Sequence, residues 1–199
     1  MEKLEWKAIQ LGSSKAPREM GPRLLLRQGR NRVLRRLCRY TPPKVEAVYM
    51  NDVWVFNVQR MEWEEVQTTG DLPACRSNSS LAYDGVGNQL LLFGGGGSNR
   101  NRFNSIHSLD WQTKVWREIT PPSTPPSNLD SQQTHWERTY HSGELIYPYL
   151  VVFGGESIAD LDDLWVFNLQ TSEWREVPIP KGATRPSSRR FHSSCVIEN

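Results

Sequence analysis

No run of apolar residues in the 199-residue chain approaches the roughly 18 needed to cross a bilayer. The first residues, Met-Glu-Lys-Leu-Glu-Trp, also lack the basic and then apolar order of a secretory signal. A soluble, cytoplasmic chain is the expectation. Cysteine is scarce: Cys38, Cys75 and Cys195 are an odd number without CxxC or CxH spacing. Neither a disulfide framework nor a zinc site is signalled, and all three read as free thiols. GxSxG, HExxH and a phosphate-binding loop are absent too. The run Gly94-Gly95-Gly96-Gly97 is rich in glycine but is not followed by Gly-Lys-Ser. No catalytic residue, metal site or cofactor is therefore expected.

Formal net charge is only +2, but it is unevenly spread. Residues 20–47 hold eight basic side chains (Arg23, Arg27, Arg30, Arg32, Arg35, Arg36, Arg39 and Lys44) against Glu46 alone. Of 24 basic and 22 acidic residues, 16 and 21 are left for the rest, which is mildly acidic. Hydrophobic residues make up 37%, a little below the usual share, yet there are eight tryptophans. Rings at that density suggest a periodic structural use.

The period is visible. Asn51-Asp52-Val53-Trp54-Val55-Phe56-Asn57-Val58-Gln59, with Glu62-Trp63-Glu64-Glu65-Val66 after it, returns as Asp162-Asp163-Leu164-Trp165-Val166-Phe167-Asn168-Leu169-Gln170 and Glu173-Trp174-Arg175-Glu176-Val177. A looser copy runs from Asn104-Ser105-Ile106-His107 through Asp110 to Trp116-Arg117-Glu118-Ile119, and Glu5-Trp6-Lys7-Ala8-Ile9 matches the second half alone. Trp6, Trp63, Trp116 and Trp174 are thus spaced by 57, 53 and 58 residues. Upstream of two copies stand Leu90-Leu91-Leu92-Phe93-Gly94-Gly95 and Leu150-Val151-Val152-Phe153-Gly154-Gly155. Further upstream are Arg138-Thr139-Tyr140-His141-Ser142, Arg189-Arg190-Phe191-His192-Ser193 and a weakened Arg76-Ser77-Asn78-Ser79-Ser80. A period of this length decides the architecture.

Each block reads as a strand. Alternation places Trp54, Phe56 and Val58 on one side and Val53 and Val55 on the other, as in a sheet covered on both faces. The apolar runs before Gly-Gly have the pattern of strands buried on both sides, and the glycines allow positive φ and close approach of another chain. Asn57, Asp110 and Asn168 open turns in which an Asx side chain can bond the backbone ahead. One unit is then an inner strand a at the Arg-x-x-His-Ser block, a strand b ending in Gly-Gly, a strand c at Asn-Asp-Val-Trp-Val-Phe and an outer strand d at Glu-Trp-x-Glu-Val. Such sheets repeated about an axis make a propeller.

On these residues the sequence resembles the kelch-repeat family. The likeness rests on Arg138/His141/Ser142 and Arg189/His192/Ser193, on Gly94-Gly95 and Gly154-Gly155 after phenylalanine, and on the tryptophans Trp54/Trp63, Trp116 and Trp165/Trp174. It covers the whole chain except residues 20–47. The implied fold class is all-β, a kelch-type β-propeller of about three four-stranded blades in an incomplete ring, the first blade degraded at residues 20–47. Residues 1–12 would be strand d of a preceding blade, 13–69 blade 1, 70–120 blade 2, 121–178 blade 3 and 179–199 the start of a next one. Two intact blades over residues 73–177 would leave exposed sheet edges.

Between Arg18, which opens an inner-strand block, and Asn51, a His-Ser and a Phe-Gly-Gly are missing. The gap has the right length and the wrong chemistry, so the first blade is expected to lack its two inner strands. A basic arm for nucleic acid is one reading. A short amphipathic helix using Leu26, Val33, Leu34 and Leu37 is another, opposed by Gly21, Pro22 and Gly29. Translation out of frame is the third and is favoured. Read one nucleotide later, codons for Met20-Gly21-Pro22-Arg23 can spell Trp-Gly-His-Ala, and codons for residues 33–38 can spell Phe-Phe-Gly-Gly-Tyr-Ala.

His141 and His192 share one repeat position beside serine, so a structural hydrogen bond is expected of each. His107 fills the slot of Trp54 and Trp165, and the pairs Glu64/Glu65 and Asp162/Asp163 read as exposed strand ends. Some kelch propellers are copper radical oxidases, which need tyrosine, histidine and cysteine at the axis. Tyr140 and His141 have no such cysteine beside them, and the chain is expected not to be an enzyme. The alternatives remain an oxidase-like propeller enzyme with a site at the axis and a nucleic-acid binder working through residues 20–47.

If strands alternate in direction, the b–c and d–a connections share one face. They carry the long loops 96–103, 156–161, 178–188 and 121–136. Resemblance then implies a protein-interaction module, with a partner protein held by Arg100, Arg102, Trp136 and Asp160 on that face. Neither a membrane nor nucleic acid is the expected partner.

Overall fold

The computed structural model describes residues 23–26, 31–35, 38–40, 47–119, 137–180 and 182–197, with side chains from Tyr49 onward. The expected strand at Trp6, the Arg18 block and the loop 121–136, including Trp136, lie outside the described residues. Among the described residues no helix is long and apolar enough to cross a membrane.

Among the described residues fifteen strands carry the fold: β1 (Arg23–Leu26), β2 (Asn31–Arg35), β3 (Cys38–Tyr40), β4 (Ala47–Tyr49), β5 (Val53–Asn57), β6 (Glu62–Val66), β7 (Thr69–Gly70), β8 (Ser80–Asp84), β9 (Gln89–Phe93), β10 (Ile106–Asp110), β11 (Val115–Ile119), β12 (Ser142–Ile146), β13 (Tyr149–Glu156), β14 (Asp160–Asn168) and β15 (Glu173–Glu176). They form three main sheets, β1-β2-β5-β6, β7-β11-β10-β9-β8 and β12-β13-β14-β15, and a small hairpin, β3-β4. Within each main sheet four neighbouring strands pair antiparallel, consecutive in the chain except where the β3-β4 hairpin falls between β2 and β5. This is the meander of a propeller blade. No closed ring is formed by the described residues.

The first sheet corrects the expectation that its two inner strands are lost. β1 pairs with β2 from Arg23↔Arg35 to Leu26↔Arg32, and β2 pairs with β5, with Leu34 opposite Trp54. Backbone N–H and C=O groups make the ladder, and neither strand contains Gly or Pro. Pairing therefore persists where the motif residues do not, and residues 23–26 and 31–35 are strands rather than a helix. A second departure is β7, a two-residue fifth strand that runs parallel to β11. Gly70, at φ +86°, permits it: a Cβ there would lie 2.3 Å from the Trp116 carbonyl oxygen.

Period-2 alternation places the core between the sheets. From the second sheet Leu81, Leu90, Leu92, Leu109 and Trp116 pack against Val53 and Val55 of the first. The alternate residues Ala82, Phe93 and Ile106 pack against Leu150, Val152, Trp165 and Phe167 of the third. Strand β9 thus spends one side on each neighbour, which is why its run is continuously apolar.

The third-to-fourth strand turns repeat one device. Asn57 Oδ1 accepts from the backbone of Gln59 and Arg60, Asn168 Oδ1 from Gln170 and Thr171, and Asp110 Oδ1 from Gln112 and Thr113, both at 2.8 Å. Asp110 alone titrates. Hydrogen bonds from Thr113 and Gln112 hold its carboxyl below the ordinary aspartate value. With the folded value below the unfolded one, the turn's contribution is present above the usual carboxylate range and is lost as pH falls through the lowered value. The wild-type chain is expected to lose stability relative to Asp110→Asn between pH 7 and about pH 3, read from urea midpoints. An unchanged difference between the two would refute the assignment.

Gly155 tests the packing between sheets. At φ +96° its Cβ would lie 2.7 Å from both the Thr139 carbonyl oxygen and His141 Cβ. Gly155→Ala is expected to cost roughly 3 kcal/mol or more in urea denaturation.

Candidate functional site

The face bearing the second-to-third strand loops and the connections between sheets is built on an arginine knot. Arg138, 2% exposed, donates from Nη1 to the Gly154 carbonyl at 3.1 Å and forms a two-pronged ion pair with Asp163 at 2.9 and 2.8 Å. Asp163 Oδ2 also accepts from Trp165 Nε1 at 2.7 Å. One residue thereby ties together the entry to β12, the end of β13 and the start of β14. Asp163 is not the exposed strand end that its sequence position suggested, because Arg138 draws it inward. Asp162 beside it pairs with Arg185 at 2.8 Å, while Glu64 and Glu65 are exposed as expected.

The second sheet repeats the knot in altered form. Arg76, also 2% exposed, donates to the Ala74 carbonyl at 3.0 Å, the Gly94 carbonyl at 3.2 Å and Ser105 Oγ at 3.0 Å, and lies 4.0 Å over the Phe103 ring. Ser105 occupies the position of Asp52 and Asp163. Among the described residues no carboxylate is in ion-pair contact with Arg76, and burial pushes its guanidinium down to about 10, opposed at longer range by Glu118 and Cys75.

Histidines join neighbouring sheets. His141 Nε2 lies 3.0 Å from Ser80 Oγ, and His192 Nε2 lies 3.0 Å from Ser142 Oγ. Each bond reaches the serine that opens the preceding sheet's innermost strand. His107 is buried and meets Trp116 edge-on, with ring centroids 6.4 Å apart.

The four residues singled out as contacts fare differently. Arg100 is exposed at the end of a tight turn over Ser98–Arg100, where Asn99 and Arg100 have φ of 57° and 60°. Arg102 and Asp160 belong to one charged chain: Arg102 pairs with Glu156, Glu156 with Arg190, and Arg190 Nε reaches Asp160 at 3.4 Å. Trp136 lies outside the described residues. Glu156 and Arg190 were not singled out in sequence, because a pair 34 residues apart gives no local signal. Beside Arg190, Phe191 is 69% exposed and its ring stands 4.0 Å from that of Tyr140. Both residues have left-handed backbone, φ 58° and 59°, as has Asn78 one repeat earlier at 54°. A backbone ladder fixes all three: Phe191 donates to the Tyr140 carbonyl and Tyr140 to the Asn78 carbonyl, each at 3.1 Å.

Stacked antiparallel meanders, with glycine pairs, buried arginines and histidine–serine bonds that recur in the second and third sheets, define a partial β-propeller of the repeat class. The model of the KLHDC2/KLHL20/DRC7 Kelch-repeats domain matches residues 42–199, and the chain belongs to the kelch-repeat family. It is 36% identical over 148 residues to Acyl-CoA-binding domain-containing protein 5 of Arabidopsis thaliana, covering 73% of this chain and 21% of that protein. It is 29% identical over 154 residues to Kelch domain-containing protein 10 of Xenopus laevis, covering 75% and 35%. With Host cell factor homolog hcf-1 of Caenorhabditis elegans the figures are 28% over 166 residues, 75% and 21%. The chain thus spans between about a fifth and a third of the length of these relatives.

Asp163→Asn would leave the Arg138 charge buried without its carboxylate. A loss of about 3–5 kcal/mol is expected, measured by chemical denaturation. By contrast, Glu156→Gln touches partly exposed arginines and should cost no more than about 1 kcal/mol.

Proposed function

We propose that this chain is a protein-interaction module that docks a partner protein on the face carrying Arg100, Asp160, Arg190 and the Tyr140/Phe191 ring pair. The observation that carries the reading is the setting of those rings. An exposed aromatic residue stacked on a second ring, 5.7 Å from an arginine guanidinium, is held in a left-handed backbone by hydrogen bonds between sheets. Aromatic and arginine side chains on a rigid base are the residue types that dominate binding energy in protein interfaces, and little ordering entropy is left to lose.

Charge shapes the specificity of the reading. Arg100 makes no ion pair among the described residues and would meet a carboxylate of the partner, with Trp136 as a further anchor. Arg102 is already committed to Glu156 and would hold the rim rather than read the partner. The relatives support the general role: their names attach similar repeats to quite different whole proteins, an acyl-CoA-binding-domain protein and a host cell factor homolog among them. What they share with this chain is the repeat region, consistent with a module for holding proteins.

The test is affinity capture with the immobilised 199-residue chain, followed by titration of any retained protein. Phe191→Ala and Arg100→Glu are each expected to weaken a saturable interaction about tenfold, as loss of an anchor contact does. Val86→Asp, on the opposite end of the sheets, should leave it unchanged. Absence of any saturable protein ligand, or equal weakening by all three changes, would sink the reading.

A further inference from the structure

Repeats that share a structural knot should share its charges, and the second sheet does not. The position opening the third strand is Asp52 in the first sheet, Asp163 in the third and Ser105 in the second. The arginine it faces is nonetheless kept. Arg138 receives both oxygens of Asp163, whereas Arg76, equally buried, receives a single neutral hydroxyl at that point, 3.0 Å from Nη1. A buried cation with hydroxyl and carbonyl acceptors alone is the setting in which an added anion has most to gain.

The residues leading to Ser105 supply the second observation. Arg100 and Arg102 stand five and three positions before it, and Ile106 follows it. Two arginines five and three positions before a serine suit a cleft lined with carboxylates, the way kinases that select basic substrates read them. The segment is a surface connection: residues 98–101 and Asn104 are exposed, and Arg102, Phe103 and Ser105 are half-buried.

We propose that Ser105 is a phosphorylation site for a basophilic protein kinase, and that its phosphate serves Arg76 as the Asp163 carboxylate serves Arg138. The co-reactant is a nucleoside triphosphate with Mg²⁺. Ser105 Oγ forms a bond to the γ-phosphorus as the bond from that phosphorus to the β–γ bridging oxygen breaks. The nucleoside diphosphate leaves, and the hydroxyl proton passes through the kinase's base to solvent. The product carries about two negative charges and three acceptor oxygens beside Arg76. It fixes the connection that presents Arg100, and so changes the charge of this face. The Arg102–Glu156 pair holds the segment down and gates the kinase's access. This inference is independent of which partner the face binds.

The test incubates the folded 199-residue chain with Mg-ATP and a kinase that requires arginine at both positions, with fragment mass mapping. The expected result is a gain of about 80 Da on Ser105, abolished in Ser105→Ala, at least tenfold slower in Arg100→Ala, and faster in Glu156→Gln. Thermal melting separates charge from shape: the phosphorylated chain and Ser105→Asp should melt roughly 2–4 °C higher, and the neutral Ser105→Asn should not. Failure to label Ser105 in the folded chain, under conditions that label a peptide spanning residues 98–108, overturns the proposal. So does a phosphorylated chain that melts lower, or a Ser105→Asn variant that melts as high as Ser105→Asp.

Discussion

The contact on which the structure depends is the seating of one sheet's opening backbone on the glycine pair of the sheet before it. Gly95 donates to the Arg138 carbonyl at 2.8 Å, and Gly155 to the Arg189 carbonyl at 2.9 Å. A Cβ on Gly94 would stand 2.8 Å from that same Arg138 oxygen, and one on Gly154 2.9 Å from the Arg189 oxygen. The side chain of Arg138 then turns back into its own sheet and closes on Gly154 and Asp163. One residue thus binds the preceding sheet through its main chain and its own sheet through its guanidinium. The apolar clusters supply most of the stabilisation, but they are non-directional. The arginine and glycine geometry sets how the sheets sit against one another.

Much of this was legible because it repeats. The alternating apolar runs and the glycine pairs mark strands where they stand, whereas the histidine–serine blocks lead into the innermost strands, which begin only at Ser80 and Ser142. What escaped reading depends on contacts between residues remote in the chain. Asp163 read as half of an exposed acidic pair because nothing local shows that Arg138 reaches it. The two-residue strand β7 has no pattern of its own and exists because Gly70 fits against the Trp116 carbonyl. The first sheet shows the reverse case: the motif vanished from residues 20–47, yet backbone pairing filled both inner positions. Side-chain motifs in this fold specify how sheets join more than whether strands form.

The face of the loops follows the same division. Arg100 and Asp160 were visible as charged loop residues, and both lie on this face, Asp160 within reach of Arg190. Arg102 looked equivalent to Arg100 in sequence but is occupied by Glu156, a residue standing where the preceding sheet has Gly96. That substitution lets one carboxylate collect arginines from the sheet before it and from the segment after it, linking three successive repeats. A residue already neutralised in this way contributes shape to an interface rather than charge. In the proposed docking role, the side chains left for a partner on this face are Arg100 and the ring of Phe191.

Because neighbours alone touch, the stack can be no more uniform than its joints. The joint between the second and third sheets has every device: the glycine pair under Arg138, the His141–Ser80 bond and a close fit in which a Cβ on Gly143 would come within 2.5 Å of Ser80 Oγ. At the joint between the first and second sheets the histidine position is Ser79. Its hydroxyl is buried and has no hydrogen-bond partner among the described residues. The arginine there is held by Ser105 instead of an aspartate, so the same repeat carries both weakened positions. A buried, unsatisfied hydroxyl costs about 1–3 kcal/mol, and it lies on one side of the second sheet only. Opening should therefore begin on the side facing the first sheet, leaving the second and third sheets together as the more stable unit that presents Arg100, Tyr140 and Phe191.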